Sequence, residues 1–165
     1  MIVGVVSDTH IPKRAKKLPK VLLESFKNVD LIIHAGDWQT MDVYRELSKL
    51  APVVGVSGNV EDGEVLAFFE KKKIVQLGAF RVGVVHGDGK GKTTLKRAYE
   101  AFENEKVDVI IFGHSHIPLL EEHNGVILFN PGSATDKRRQ QRYSYGLIQV
   151  DSNLKIDHVY YDSKE

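Results

Sequence analysis

Five short polar signatures interrupt this chain: Asp8-Thr9-His10, Gly36-Asp37, Gly58-Asn59, His86-Gly87 and Gly113-His114-Ser115-His116. Asp, Asn and neutral His present the oxygen and imidazole donors that bind divalent transition metals. If they converge, Asp8, His10, Asp37, Asn59, His86, His114 and His116 supply seven ligands, enough for two ions. The sequence has no cysteine, so a metal would rest on nitrogen and oxygen alone, and no disulfide can form. Each signature alone is weak: Asp-x-His is commonly a helix cap or a surface pair, and Gly-Asp or Gly-Asn a turn. Their joint occurrence, each after an apolar run, is the signal.

Those runs must position the donors. Ile2 to Val6, Leu31 to His34, Val53 to Ser57, Phe80 to Val85 and Val109 to Phe112 are rich in β-branched residues, as strands covered on both faces are. Helices fit between several of them. Pro19 to Phe26 places Leu22, Leu23 and Phe26 on one face, Thr40 is positioned to cap Asp42 to Leu50, and Thr93 or Thr94 opens a helix through Phe102. After Gly113 the pattern becomes strands alone: Leu119 to His123, an Asn124-Gly125 hairpin turn, Val126 to Phe129, Tyr145 to Val150 and Lys155 to Tyr160. A βαβαβ start with a β-rich finish predicts an α/β fold of two face-to-face sheets with helices outside. Ligands in open α/β sheets bind beyond the carboxyl ends of parallel strands, and every donor follows such an end.

At 165 residues the expectation is a single domain over residues 1–165. Hydrophobic residues make up 42% and charged residues 27%, which argues against disorder. Met1 to Val6 is too short for a signal peptide or a membrane span, so a cytoplasmic protein without a membrane partner is expected. The formal net charge of +1 gives no global pull on nucleic acid. Two local basic runs, one of Lys13, Arg14, Lys16 and Lys17 and one of Lys137, Arg138, Arg139 and Arg142, read as solvated loops not interleaved with aromatics. Tyr143, Tyr145, Tyr160 and Tyr161 could form an exposed aromatic patch on which a homodimer would assemble.

Other residues carry two readings each. His34 is a hydrogen-bonding partner of a ligand or a satisfied core histidine. Trp38 walls the metal site or fills the core. Glu61 reads as an exposed turn carboxylate more than as a group orienting a ligand, and His123 and His158 as surface residues. Gly87 to Thr93 suggests a phosphate-binding P-loop, but that motif needs a glycine where His86 stands. A Gly-Lys loop beside His86 is the better account, with Lys90 and Lys92, like Lys13 and Arg14 past His10, as candidates for steering a phosphate.

The five signatures, with Asn130-Pro131-Gly132-Ser133, resemble the blocks of the calcineurin-like metallophosphoesterases, in particular their small, minimal phosphodiesterase branch, over Met1 to about Val150. The resemblance implies a four-layer αββα sandwich of two mixed sheets. It implies that Asp8, His10 and His116 bind one metal, Asn59, His86 and His114 a second, and that Asp37 bridges both. The implied catalytic set is Asp37, Asn59 and His114 around a metal-bridging hydroxide that attacks a small phosphodiester or nucleotide-like substrate, with no protein nucleophile. Mn²⁺ suits these ligands best, with Fe, Ni, Zn, Co or Mg as alternatives. Many members carry a histidine after the Gly-Asn pair that can protonate the leaving group; this chain has Val60. The alternative functions are a non-catalytic metal-binding scaffold of the same fold, and a phosphomonoesterase or nucleotide pyrophosphatase.

Overall fold

The computed structural model describes all of residues 1–165. Ten strands form two mixed five-stranded sheets. The first runs β10 (Leu154–Tyr161), β9 (Tyr143–Val150), β1 (Ile2–Val6), β2 (Leu31–His34), β3 (Val53–Gly55). The second runs β4 (Lys72–Leu77), β5 (Phe80–Val85), β6 (Val109–Ile111), β8 (Val126–Asn130), β7 (Leu119–His123). β1, β2 and β3 are mutually parallel, as are β5, β6 and β8.

Alternation along the strands builds the layers. Val3, Val5 and Ile33 of the first sheet meet Val82, Val84, Val109, Ile111 and Phe129 of the second in a core between the sheets. Their neighbours face outward: Val6 and Ile32 pack under α1 (Lys20–Phe26) and α2 (Asp42–Ser48), while Ile110 and Leu128 pack under α4 (Thr94–Glu100). The result is the four-layer αββα order, with strands apolar on both sides because both sides are covered.

Several elements differ from expectation. A short helix α3 (Gly63–Phe68), capped by Asp62 Oδ1 accepting from Val65 N at 3.0 Å, leads into edge strand β4. β4 opens with exposed lysines, which protect an edge from further pairing and hide the strand from a search for apolar runs. Thr40 does not cap α2; its hydroxyl donates to Ile11 O at 3.0 Å. Thr93 does cap α4, although that helix ends at Glu100. No helix is long and apolar enough to cross a membrane. Of the four late tyrosines only Tyr160 is exposed: Tyr143 is half-buried, Tyr145 and Tyr161 are buried, and Tyr161 donates to Ala134 O at 2.6 Å.

Candidate metal centre

The turns after β1, β2 and β3 in one sheet and after β5 and β6 in the other open at the same end of the sandwich, so the donors converge from both sheets. Hydrogen bonds lock the turns together: Asp8 N donates to Gly36 O, His10 N to Asp37 O and Gly113 N to His86 O, each at 3.0 Å. Five of the seven donors sit at left-handed backbone angles, with φ of 54° at Asp8, 45° at His10, 60° at Asp37, 70° at His114 and 61° at His116. Non-glycine residues adopt this region at a cost of about 1–3 kcal/mol each and do so chiefly at functional sites. It also answers a geometric problem. Alternate residues of an extended chain point to opposite sides, and the left-handed turns let His114 and His116 face one centre.

Two groups have donor atoms all within 4.8 Å of one another: Asp8 with His10 and His116, and Asp37 with His86 and His114. Asp8 Oδ2 accepts from Ser7 Oγ at 2.9 Å and His114 N at 3.0 Å. Its Oδ1 instead faces three imidazoles, at 3.7 Å from His10 Nε2, 3.7 Å from His86 Nε2 and 3.5 Å from His116 Nε2. Asp37 Oδ2 lies between the groups, 3.5 Å from His10 Nε2 and 3.1 Å from His86 Nε2, the latter off the line of a hydrogen bond. Asn59 is exposed, with Oδ1 3.2 Å from His114 Nδ1, and His114 is half-buried, so the centre opens on their side.

The orientation of the rings prepares them as ligands. His86 Nδ1 donates to Ala35 O at 2.8 Å and His116 Nδ1 to Asp136 O, which leaves each neutral ring a lone pair at Nε2. Asp8 Oδ1 and the Nε2 atoms of His10, His86 and His116 are buried with no hydrogen-bond partner in the protein. Leaving such atoms unpaired costs about 1–3 kcal/mol each, and more for a charge. Two carboxylates and converging imidazole lone pairs are a donor set that a divalent cation satisfies, so the residues present fit a metal.

The electrostatics agree. Burial acts against charge at Asp8, yet the imidazoles of His10, His86 and His116 hold its carboxyl far below the usual range. Burial likewise opposes charge at His86, but Asp37 and Asp8 outweigh it and push the metal-free ring up to about 9. His34 stays neutral: burial pushes it down to about 3, against the pull of Asp8 and Asp37. It accepts from Gly36 N at 3.1 Å, its Nε2 lies 3.0 Å from Thr9 Oγ1, and it stacks on Trp38 with centroids 3.7 Å apart. His34 is therefore a support under the Asp8 and Asp37 turns. A base with a depressed folded pKa favours folding above its unfolded value, near 6.5, and loses that contribution as pH falls toward 3. Denaturant melts of the metal-free protein are expected to show this decline, and His34→Asn to flatten it by about 5 kcal/mol over that window.

Glu61 takes the less favoured of its two readings, orienting a ligand, and Asp136 acquires a role that the sequence did not suggest. Glu61 is not an exposed turn residue: its carboxylate accepts from Asp37 N at 3.1 Å, Gln39 N at 2.7 Å and Gly58 N at 2.9 Å, clamping the second and third turns. Burial raises it to about 7 despite the backbone donors of Gly58 and Gln39. Asp136 supplies the backbone oxygen that holds His116. Ser133 Oγ donates to Asp8 O at 2.8 Å and Asn130 Nδ2 to Gly113 O at 3.0 Å, so the Asn130 to Ser133 block staples the first turn to the last. Trp38 belongs to the core, wholly buried, its indole donating to Val56 O at 2.8 Å. Of the candidate phosphate-steering residues, Lys92 is paired with Glu100, while Lys13, Arg14 and Lys90 are exposed. His123 is an exposed partner of Glu121, and His158 is half-buried, its Nε2 2.7 Å from Asn130 O.

Comparison with known proteins agrees with this architecture. Residues 1–153 match the calcineurin-like phosphoesterase superfamily domain. A probable metallophosphoesterase of Methanothermobacter thermautotrophicus is 41% identical over 140 residues, 84% of this chain and 80% of the relative. Among solved structures, Entamoeba histolytica Vps29 complexed with zinc superposes with a TM-score of 0.77 at 23% identity, covering 97% of this chain and 99% of that one. An archaeal phosphodiesterase superposes with a TM-score of 0.76 at 21% identity, covering 98% and 100%. Fold, converging donors and sequence similarity lead to one assignment: the chain belongs to the calcineurin-like phosphoesterase superfamily.

Proposed function

We propose that this protein is a divalent-metal-dependent phosphodiesterase. Asp8, His10 and His116 would hold one ion, Asn59, His86 and His114 a second, with Asp37 shared between them. The observation that carries the reading is the set of four buried, unpartnered atoms facing one another across the two groups. When bound, two divalent ions, Mn²⁺ foremost for this mixed ligand set, supply the Lewis acidity that activates water and neutralises phosphoryl oxygens.

The chain's own residues do the remaining work. Val60 N donates to Asp37 Oδ1 at 2.9 Å and so fixes which oxygen faces the imidazoles. The hydroxyls nearby are engaged: Ser7 with Asp8, Thr9 with His34, Ser133 with Asp8 O. Thr9 alone meets an imidazole, but His34 Nδ1 accepts from Gly36 N, so the neutral ring carries its proton at Nε2 and is no base toward Thr9, which argues for water rather than a side chain as nucleophile. Asn59 and His114, the accessible members, lie where an ester enters. Val60, half-buried beside them, offers no side-chain proton to a departing alkoxide. Good leaving groups need that proton less, so aryl diesters are the favoured test substrates.

Metal-stripped protein reloaded with Mn²⁺ is expected to hydrolyse bis(p-nitrophenyl) phosphate at least about tenfold faster than p-nitrophenyl phosphate. The reverse order indicates a monoesterase, and hydrolysis of neither with any of the metals supports the scaffold reading. Val60→His is expected to speed cleavage of alkyl diesters by about 10²-fold while changing aryl diesters little. An unchanged dependence on leaving-group pKa would count against a missing acid.

A further inference from the structure

The two basic runs, far apart in sequence, meet beside the His116 half of the centre. Residues 13–20 hold five cations and no acid, and residues 136–142 hold four cations and one acid, in a chain whose net charge is +1. The fold brings the guanidinium groups of Arg14 and Arg138 to the same oxygen, Asp136 Oδ2, at 3.7 and 4.0 Å. Lys164 joins them, its Nζ donating to Arg14 O at 2.7 Å and Thr135 O at 3.2 Å. Lys137 and Lys164 lie 5.7 and 6.0 Å from the centre of the Tyr143 ring. One carboxylate thus serves two guanidinium groups with two lysines close by, and both arginine side chains remain more than half exposed. A cleft of about 410 Å³, lined by Ser115, Ile117, Lys137, Arg138, Arg139 and Gln140, opens between this cluster and the His114 to His116 turn.

The cluster is tied to the centre through Asp136, whose backbone oxygen accepts from His116 Nδ1. It therefore sits on the opposite edge of the imidazole from Nε2. A group bound there is displaced from the scissile phosphorus by the width of a ring, so the cluster serves another part of the substrate. Exposed guanidinium groups that share a single carboxylate keep donors free for phosphate oxygens, which guanidinium binds bidentately.

Building on the phosphodiesterase reading, we propose that the substrate carries a second phosphate and that Arg138 and Lys137 seat it from the wall of this cleft, with Arg14 beside them across the shared Asp136 carboxylate and Lys164 in support. The two loops then form one subsite, and the enzyme selects nucleotide-like esters with a further phosphate over esters that end at the scissile one.

The test uses the manganese-loaded full chain and the p-nitrophenyl ester of thymidine monophosphate. The free sugar hydroxyl is left bare, phosphorylated, or joined through a phosphodiester to a second nucleoside. The forms with a second phosphate are expected to show kcat/KM about tenfold higher, mostly through KM, with the preference shrinking as salt rises. Arg14→Ala with Arg138→Ala is expected to reduce the preference below about twofold, and the paired lysine substitutions to retain part of it. Lys16→Ala with Lys17→Ala, which removes charge of the same sign elsewhere, should preserve it. The larger of the two phosphorylated arms shows whether a terminal or an internal phosphate is seated. Calorimetry of thymidine bisphosphate against thymidine monophosphate gives an independent readout, with the same tenfold ratio and the same loss. Equal rates and affinities in the parent protein, or a preference that survives the double alanine substitution, overturns the proposal. Selective bisphosphate binding without hydrolysis of any ester would uphold the subsite and overturn the phosphodiesterase reading instead.

Discussion

Asp37→Asn is expected to lower metal-dependent diester hydrolysis by about 10³-fold while leaving the fold intact. Asp37 Oδ2 approaches an imidazole of each proposed ligand group, and it lies nearer to His86 Nε2, at 3.1 Å, than Asp8 Oδ1 does at 3.7 Å. Its partner oxygen is held by Val60 N, and Asn can keep that bond through its carbonyl. The amide nitrogen then points at His10 and His86, placing a donor where a shared acceptor is required and removing one negative charge. The same change removes one of the two carboxylates that keep the metal-free His86 near 9, so that ring should titrate lower by NMR. Steady-state rates, metal content and the His86 titration report on three separate consequences, and an unaltered rate would sink the role assigned to Asp37.

Gly58→Ala is expected to cost about 10²-fold in rate without replacing any donor. A Cβ at this position would overlap Asp37 Oδ1 and lie 2.6 Å from Asp37 N. Either the second turn or the third must shift, and both are also bound to Glu61. A displacement of reacting groups by about 1 Å is enough for a loss of that size. Gly125 provides the contrast. It sits at φ 80° in the β7–β8 turn with nothing near its missing Cβ, so Gly125→Ala should cost about 1 kcal/mol of stability and no activity. Circular dichroism melts alongside rates separate the two effects.

The contrast bears on how much of this molecule can be read before it is folded. The donors are legible because each follows a β-branched run, and strands buried on both faces announce themselves by composition. β4 is not, because lysines protect its edge, and α3 is too short to show a helical period. Glu61 and Asp136 escaped for a different reason. A carboxylate that accepts three backbone N–H groups looks the same in one dimension as a solvated one, since its partners come from turns up to 24 residues away. Trp38 follows Asp37 directly but turns into the core, because left-handed backbone at Asp37 redirects the chain. The basic runs show the same limit. Each alone is a solvated loop, and only the β8–β9 and β1–α1 connections lying side by side make them one surface.

The central claim is that seven side chains from two sheets hold two ions. It is tested most directly by titrating metal-stripped protein with Mn²⁺ while following both stoichiometry and thermal stability. Two ions per chain are predicted, with Tm rising by about 10–20 °C when both sites are at a hundredfold excess over Kd, because binding satisfies buried atoms that the protein leaves unpaired. One ion per chain or fewer, or an unchanged Tm at saturation, would contradict the account.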